Sequence, residues 1–324
     1  MLSLKDKNIM VTGGAGFIGS HLVDKLIDEN PSKIIVVDNF FLGKESNLDD
    51  AKARYFKLKI YKEDASSLES MKDILTKEDI SVVFNLAVVP LPASLTDPVY
   101  VFEKNVRIAS TFCELLRKDY YETLIHFSSS EAYGTSEYAP MDEKHPLNGT
   151  TPYSASKASS DLLIYSYEKT FGIDSAIIRP FNNYGPRQNE GSYAGVIPLT
   201  IKRILNNEPP VVYGNGKQTR DYLYVTDSAS AAIDVYKNKN TRNKVINIAG
   251  GKEIVIEDLI KLIADYLNCK KDVIYEPERL GDVRRHIASI FLAEDLIDFK
   301  PKVPFEEGLK LTVDWYKEAL KCKK

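Results

Sequence analysis

The chain has 324 residues, 44% of them hydrophobic and 27% charged, with a formal net charge of −3. That length can bury a substantial core, and the near-neutral balance argues against a general affinity for nucleic acid or acidic membranes. Three scattered cysteines (Cys113, Cys269, Cys322) have neither disulfide nor metal-ligand spacing, so no metal site is expected.

In chain order, short β-branched runs alternate with longer amphipathic ones. "KNIMVTG" reads as a strand, "SHLVDKLIDEN" as a helix and "KIIVVD" as a second strand. "SLESMKDILTKE" is helical and "ISVVFNLA" is a strand; the apolar run that continues from it is broken by Asn85, Pro90 and Pro92, so it does not span a bilayer. "VRIASTFCELLRKD" is a helix, "TLIHFSSS" a strand, "SASKASSDLLIYSYEKTF" a helix and "DSAIIRPF" a strand. "NNYGPRQNEGSYAG" is a loop by its Asn, Gly and Pro content. Beyond it come a helix in "VIPLTIKRILNNE", a strand–turn–strand in "PVVYGNGKQTRDYLYVTD", and helices in "SASAAIDVYKN" and "IEDLIKLIADYLN". The alternation implies an α/β fold with a doubly wound parallel sheet and a smaller C-terminal portion. The N-terminus enters a strand at once, with no separate apolar signal segment, so a cytoplasmic protein is expected.

The first strand runs into "VTGGAGFIGSHL". Gly13 allows a tight turn, Gly16 lets backbone approach a diphosphate, and Gly19 lets helix and strand pack closely. The helix start, with Phe17 and Ile18, then faces the anion. The second strand ends in Asp38, followed by Asn39, at the spacing of a carboxylate that accepts a ribose 2′-OH and repels a 2′-phosphate. NAD is therefore expected rather than NADP. Ala87, at the end of the "ISVVFNLA" strand, is assigned to the cofactor as well. Asp64 either lies near the adenine or caps a surface turn.

The strand "TLIHFSSS" delivers Ser128, Ser129 and Ser130, then Glu131, to the sheet edge where ligands bind. Thr150 or Thr151 caps the helix that follows, with Pro152 in its first turn. Tyr153 and Lys157 are four apart and share a helix face. A fixed ammonium beside a phenol favours the phenolate and lowers its pKa.

With Gly13, Gly16, Gly19, the strand-end serine and Tyr-x-x-x-Lys in place, the sequence resembles the short-chain dehydrogenases/reductases. Its length, "RPFNNYGPRQ" and "GNGKQTRDYLYVTD" resemble the extended branch of nucleotide-sugar epimerases and dehydratases. That resemblance implies a Rossmann-type NAD-binding domain over 1–180, with returning segments at about 215–250, and a mainly nucleotide-sugar-binding portion over 181–324. It implies that Tyr153 takes the sugar 4-OH proton, that Lys157 lowers the tyrosine pKa and holds the nicotinamide ribose, and that Ser129 bonds near the 4-oxygen. Asn183, Arg187, Arg220 and Arg284 (or Arg285) are implied as substrate contacts, the arginines as partners of a nucleoside diphosphate.

"SSEAYG" places Glu131 where 4,6-dehydratases carry the base for the C5 proton, and Ser130 where dTDP-glucose dehydratases carry aspartate. "DNFFLGK" and "GDVRR" also look like decarboxylases and epimerases. A 4,6-dehydratase is the leading expectation, with a 4-epimerase next and a glucuronate decarboxylase third. A non-catalytic dinucleotide binder is disfavoured by the intact Tyr–Lys pair. Family resemblance further implies a homodimer through helices at about Tyr100–Arg117 and Tyr153–Phe171, and Pro90 and Pro92 are expected to stiffen the loop near the sugar.

Overall fold

The computed structural model describes residues 1–191, 194–279 and 283–321. Cys322 and residues 280–282 of "ERLGDVRRH" lie outside these residues. The chain opens with β1 (Asn8–Thr12), α1 (Phe17–Ile27), β2 (Lys33–Val37), α2 (Asp49–Arg54), β3 (Leu58–Tyr61), α3 (Leu68–Lys77) and β4 (Val82–Asn85). A single-turn α4 (Leu91–Ser94), the long α5 (Pro98–Arg117), β5 (Thr123–Phe127), α6 (Pro152–Phe171) and β6 (Ser175–Pro180) follow. Then come β7 (Asn182–Tyr184), α7 (Val196–Leu205), β8 (Val211–Tyr213), β9 (Thr219–Tyr224), α8 (Val225–Lys237), β10 (Val245–Ile248) and β11 (Glu253–Val255). The chain closes with α9 (Ile256–Tyr266), β12 (Ile274–Glu276), α10 (Phe291–Ile297) and α11 (Phe305–Lys321).

Seven parallel strands form the main sheet in the order β10-β6-β5-β4-β1-β2-β3. Strand order reverses between β1 and β4, which opens a crevice at their C-terminal ends. Successive residues of β2 show why the strands are apolar throughout: Ile34 and Val36 join one core, Ile35 and Val37 the other. The first core includes Leu22, Leu26, Ile233 and Val235 from α1 and α8. The second includes Met71, Phe112 and Ile164 from α3, α5 and α6. A helix layer thus covers each face.

Local signals set the ends of α6. The Thr151 hydroxyl accepts the Ser154 N–H at 3.1 Å, Pro152 fills the first turn, and Gly172 closes the helix in the left-handed region at φ 69°. Of the two threonines offered by the sequence, Thr151 is the cap.

The smaller layer contains a three-stranded sheet β11-β9-β7 and the pair β12-β8. Its core gathers Tyr184, Ile260, Leu309 and Tyr316 from three elements, β7, α9 and α11. Strand β7 lies inside the stretch expected to be a loop over 182–195, because Asn182–Tyr184 pairs in parallel with β9. Strand β10 returns to the large sheet beside β6. Among the described residues, no helix is long and apolar enough to cross a membrane.

Phe112 is fully buried between α5 and the sheet. Phe112→Ala is expected to destabilise the fold by about 3–5 kcal/mol through lost burial and a residual cavity, read as a lower urea midpoint.

Candidate active site

The turn after β1 is built by steric necessity. Gly13 sits at φ 64°, and a Cβ there would lie 2.9 Å from the Ala87 nitrogen. A Cβ on Gly19 would collide with the Gly13 carbonyl, so α1 packs this closely only with glycine. Gly16 is the N-cap residue of α1, and Phe17 and Ile18 open its first turn with N–H groups facing out of the helix end.

Asp38 is 7% exposed at the end of β2. One carboxylate oxygen accepts the Ala15 N–H at 3.0 Å and the other the Phe40 N–H at 2.8 Å. Burial pushes its pKa up, and these two N–H groups hold it back. Gly13, Asp38, Asn39 and Ala87 line one small pocket of about 50 Å³, which Lys104 also borders. The donor set fits a dinucleotide: a glycine turn and helix start for the diphosphate, and a carboxylate with lone pairs left for a ribose diol. Asp64 does not itself line this pocket but sits beside it. Its carboxylate accepts the Ser66 N–H and hydroxyl and pairs with Lys104 at 2.7 Å. Its neighbours Glu63 and Ala65 line the pocket instead. Burial pushes the Asp64 pKa up, but the Lys104 and Ser66 hydrogen bonds outweigh it and leave it lowered.

At the ends of β5 and α6 a larger cavity, about 450 Å³, is lined by Ser129, Glu131 and Tyr153. Tyr153 lies beside Ser129, whose hydroxyl accepts the Glu131 N–H at 3.2 Å. Lys157 lies one helix turn below, buried, its ammonium donating to the Phe127 carbonyl at 2.6 Å. The electrostatics correct one expectation. Burial pushes the Tyr153 hydroxyl up to about 12; the Ser129 hydroxyl opposes this, and Glu131 and Asp161 add to it. The tyrosine pKa is thus raised rather than lowered, because desolvation dominates and the Lys157 ammonium is turned onto a strand carbonyl. Burial pushes Lys157 itself down to about 8, with Asp161 pulling the other way.

Ser130 does not join the cleft. It is 3% exposed and is absent from the cavity wall, because the turn beginning at Ser129 directs Glu131, not Ser130, toward the opening.

At the far end, Asn183 and Arg220 line the same cavity. The Asn183 amide is held by the Phe181 carbonyl at 2.9 Å and the Ser228 hydroxyl at 2.5 Å. Arg220 donates to the Thr219 and Val283 carbonyls. Arg187 is not on the cavity wall. It pairs with Asp24 at 2.6 Å and Asp50 at 3.3 Å, tying its loop to α1 and α2. Arg284 lines a separate pocket with Lys217 and Glu278, and Arg285 pairs with Glu253 at 2.8 Å.

Arg279, which the sequence did not single out, is on the main cavity wall where these two are not. Its guanidinium lies 3.8 Å from the Tyr213 ring centre. The clue in the sequence was "ERL", next to the arginines that were singled out, but the stack on Tyr213 is a tertiary contact. Leu91 and Pro92 of α4 also line the cavity, and Pro90 stands just outside as the N-cap residue.

A family model described as "NAD dependent epimerase/dehydratase family" matches residues 9–249. The chain belongs to that family. A solved UDP-N-acetylglucosamine 4-epimerase from Methanobrevibacter ruminantium M1, in complex with UDP-N-acetylmuramic acid, is 40% identical with a TM-score of 0.89, covering 97% of this chain and 99% of that one. A UDP-glucose 4-epimerase from Thermotoga maritima, with UDP-glucose, is 33% identical with a TM-score of 0.90, covering 97% and 99%. A dTDP-glucose 4,6-dehydratase of Streptomyces antibioticus is 32% identical over 320 residues, 96% of this chain and 92% of the relative. As an extended short-chain dehydrogenase/reductase and an NAD dependent epimerase/dehydratase, the protein is an enzyme whose cofactor is NAD.

For this epimerase/dehydratase, Asp38→Ser is expected to cut the preference for NAD over NADP at least about tenfold. Removing the carboxylate removes both the diol acceptor and the charge facing a 2′-phosphate. Titrating cofactor-stripped protein with each dinucleotide checks this.

Proposed function

We propose that the protein is an NAD-dependent nucleotide-sugar 4-epimerase, with 4,6-dehydration as the second reading. The observation that carries this choice is the cavity wall. It presents Tyr153 beside Ser129 for proton transfer at C4, while Ser130 is buried away from the opening. Elimination of water across C5–C6 needs a base for the C5 proton and an acid for the departing hydroxyl. Glu131 lines the cavity and supplies one such group, which is what keeps the dehydratase reading alive. The similarity to two 4-epimerases, at 40% and 33% identity, supports the same order. A UDP-hexose is the favoured substrate class by that similarity.

In this reading Arg220 and Arg279 hold the diphosphate, and Asn183 faces the sugar-nucleotide. Tyr153 accepts the 4-OH proton as C4 becomes a ketone, and returns it when the alcohol reforms on the opposite face. Ser129 bonds the 4-oxygen. Burial favours the phenol, so Tyr153 must lose its own proton to solvent before it can accept the substrate's, and the Lys157 charge stabilises the phenolate that does so. NAD would be held by the Gly13 turn and Asp38 and would supply a reversible hydride acceptor for C4, with no net redox change.

Incubation with UDP-, GDP-, dTDP- and CDP-hexoses and UDP-glucuronate, read by mass spectrometry and NMR, decides the reaction. An unchanged mass with inverted C4 is expected. Loss of one water from a hexose would establish the dehydratase, and loss of carbon dioxide from the glucuronate a decarboxylase. Tyr153→Phe should lower kcat about 10²–10⁴-fold, whereas Glu131→Gln should leave epimerisation within about tenfold of wild type.

A homodimer is part of the same proposal. Helices α5 and α6 leave Val99 65%, Leu162 59% and Tyr165 53% exposed, an unusual load of apolar surface on two neighbouring helices. A second copy covering this face would bury it in a four-helix arrangement. Sedimentation should give a dimer, and Leu162→Arg should give a monomer that keeps bound NAD. A monomeric wild type would remove this part of the proposal.

A further inference from the structure

Beneath the Tyr153–Lys157 pair lies a buried polar cluster that the chemistry above does not use. Asp161 is 3% exposed and follows Lys157 by one helical turn, so the two side chains share a face of α6. One Asp161 carboxylate oxygen, Oδ2, accepts the Ser128 hydroxyl at 2.8 Å and the Arg179 Nε–H at 2.8 Å. The other oxygen, Oδ1, is buried without a hydrogen-bond partner. Ser128 follows Phe127, whose carbonyl receives the Lys157 ammonium. One carboxylate therefore touches both sides of the lysine's seat, the helix that carries it and the strand end that receives it.

We propose that Asp161 is a positioning residue for the active site, keeping the Lys157 ammonium charged and seated on the end of β5. The proposal rests on the reading of Tyr153 and Lys157 as the reactive pair. The surroundings of Lys157 make Asp161 the group able to do this. Tyr153 lies on its own helix. His126, on β5, is neutral because burial holds its pKa well below the usual range. Arg179, on β6, is a cation stacked 4.7 Å from the Tyr133 ring, in the turn after β5. From α5 comes the uncharged Asn105, bonded to Ser156 at 3.0 Å. Glu131 is directed to the cavity beside Tyr153. A buried ammonium is stabilised by an opposite charge, and Asp161, one turn along the same helix face and paired with Arg179 at 2.8 Å, is the anion that acts on it through space.

Asp161→Asn tests this in the NAD-loaded enzyme. Activity that depends on a charged Lys157 fails as pH rises past the lysine pKa. In the variant this alkaline limb should move down by about one pH unit, and Asp161→Glu should restore it. A second readout needs no turnover. Because the folded lysine titrates below its ordinary value, burying its charged form costs stability, and that cost begins to be relieved as pH rises past the folded pKa toward the ordinary lysine value. The Tm deficit of Asp161→Asn against wild type should therefore shrink between about pH 7 and pH 9. An unmoved limb together with a pH-independent deficit would overturn the proposal and leave Asp161 as a partner of Arg179 alone. Should Asp161→Asn fail to fold, Asp161→Asn/Lys157→Met decides. Recovery of folding is expected once the unpaired ammonium is gone, and no recovery overturns the idea. If Tyr153→Phe and Lys157→Ala keep wild-type turnover, the assignment of the reactive pair falls, while the Tm comparison still decides the role of Asp161.

Discussion

The site depends on the in-register ending of parallel strands. Thr12 pairs with Asn85, Asn85 with His126, and Phe127 with Ile178, so β1, β4, β5 and β6 deliver their last residues to one edge. Parallel strands align their C-terminal carbonyls and following loops on one side, and the order reversal between β1 and β4 splits those loops to leave a crevice. Everything reactive hangs from this edge. The glycine turn follows β1, Asp38 follows β2, Ser129 and Glu131 follow β5, and Lys157 is anchored on the last carbonyl of β5. A one-residue slip in any pair would send the next loop's side chains to the other face.

Holding polar groups at the end of a buried sheet carries a cost, and a short hydrogen-bonded chain offsets it. The Thr12 hydroxyl donates to Asn85 Oδ1 at 2.6 Å and accepts the Leu86 and Ala87 N–H groups at 3.1 Å each. The Asn85 amide in turn donates to His126 Nδ1 at 3.0 Å. This chain joins β1, β4 and β5 sideways and fixes the backbone at Ala87, beside the cofactor pocket. Buried polar groups satisfied in this way favour a single arrangement over near alternatives, which suits a site that must hold a dinucleotide and a sugar in contact.

Much of this was legible in the sequence because it is carried by local rules. The β-α-β alternation, the glycine turn with Asp38, and the i, i+4 spacing of Tyr153 and Lys157 each depend on residues close in the chain. What was missed depends on tertiary contact. Strand β7 has three residues and exists because β9 lies beside it. The outward turn of Glu131 and inward burial of Ser130 are set by the single turn that starts at Ser129, which no periodicity describes. Arg279 reaches the cavity from the residues just after β12, whose place is set by pairing with β8, so its neighbours in the chain did not mark it out. The direction of the Tyr153 shift was misread because spacing reveals the neighbouring ammonium, while desolvation is visible only once the site is folded. Helix α11 repeats Leu309, Val313 and Tyr316 on one face, a pattern present in the sequence that the third core then uses.

The segment from Pro186 to Glu190 is fastened on both sides. Toward the large sheet, the Pro186 carbonyl meets His21 at 3.0 Å, Arg187 pairs with Asp24, and Glu190 pairs with Lys44 at 2.9 Å. Toward the smaller layer, Tyr316 donates to the Gln188 carbonyl and Lys202 to the Glu190 carbonyl. Among the described residues, this seam ties the two layers together along one loop. Swinging the layers apart at this loop would break several charge-assisted bonds at once, so separation there is opposed by more than apolar packing.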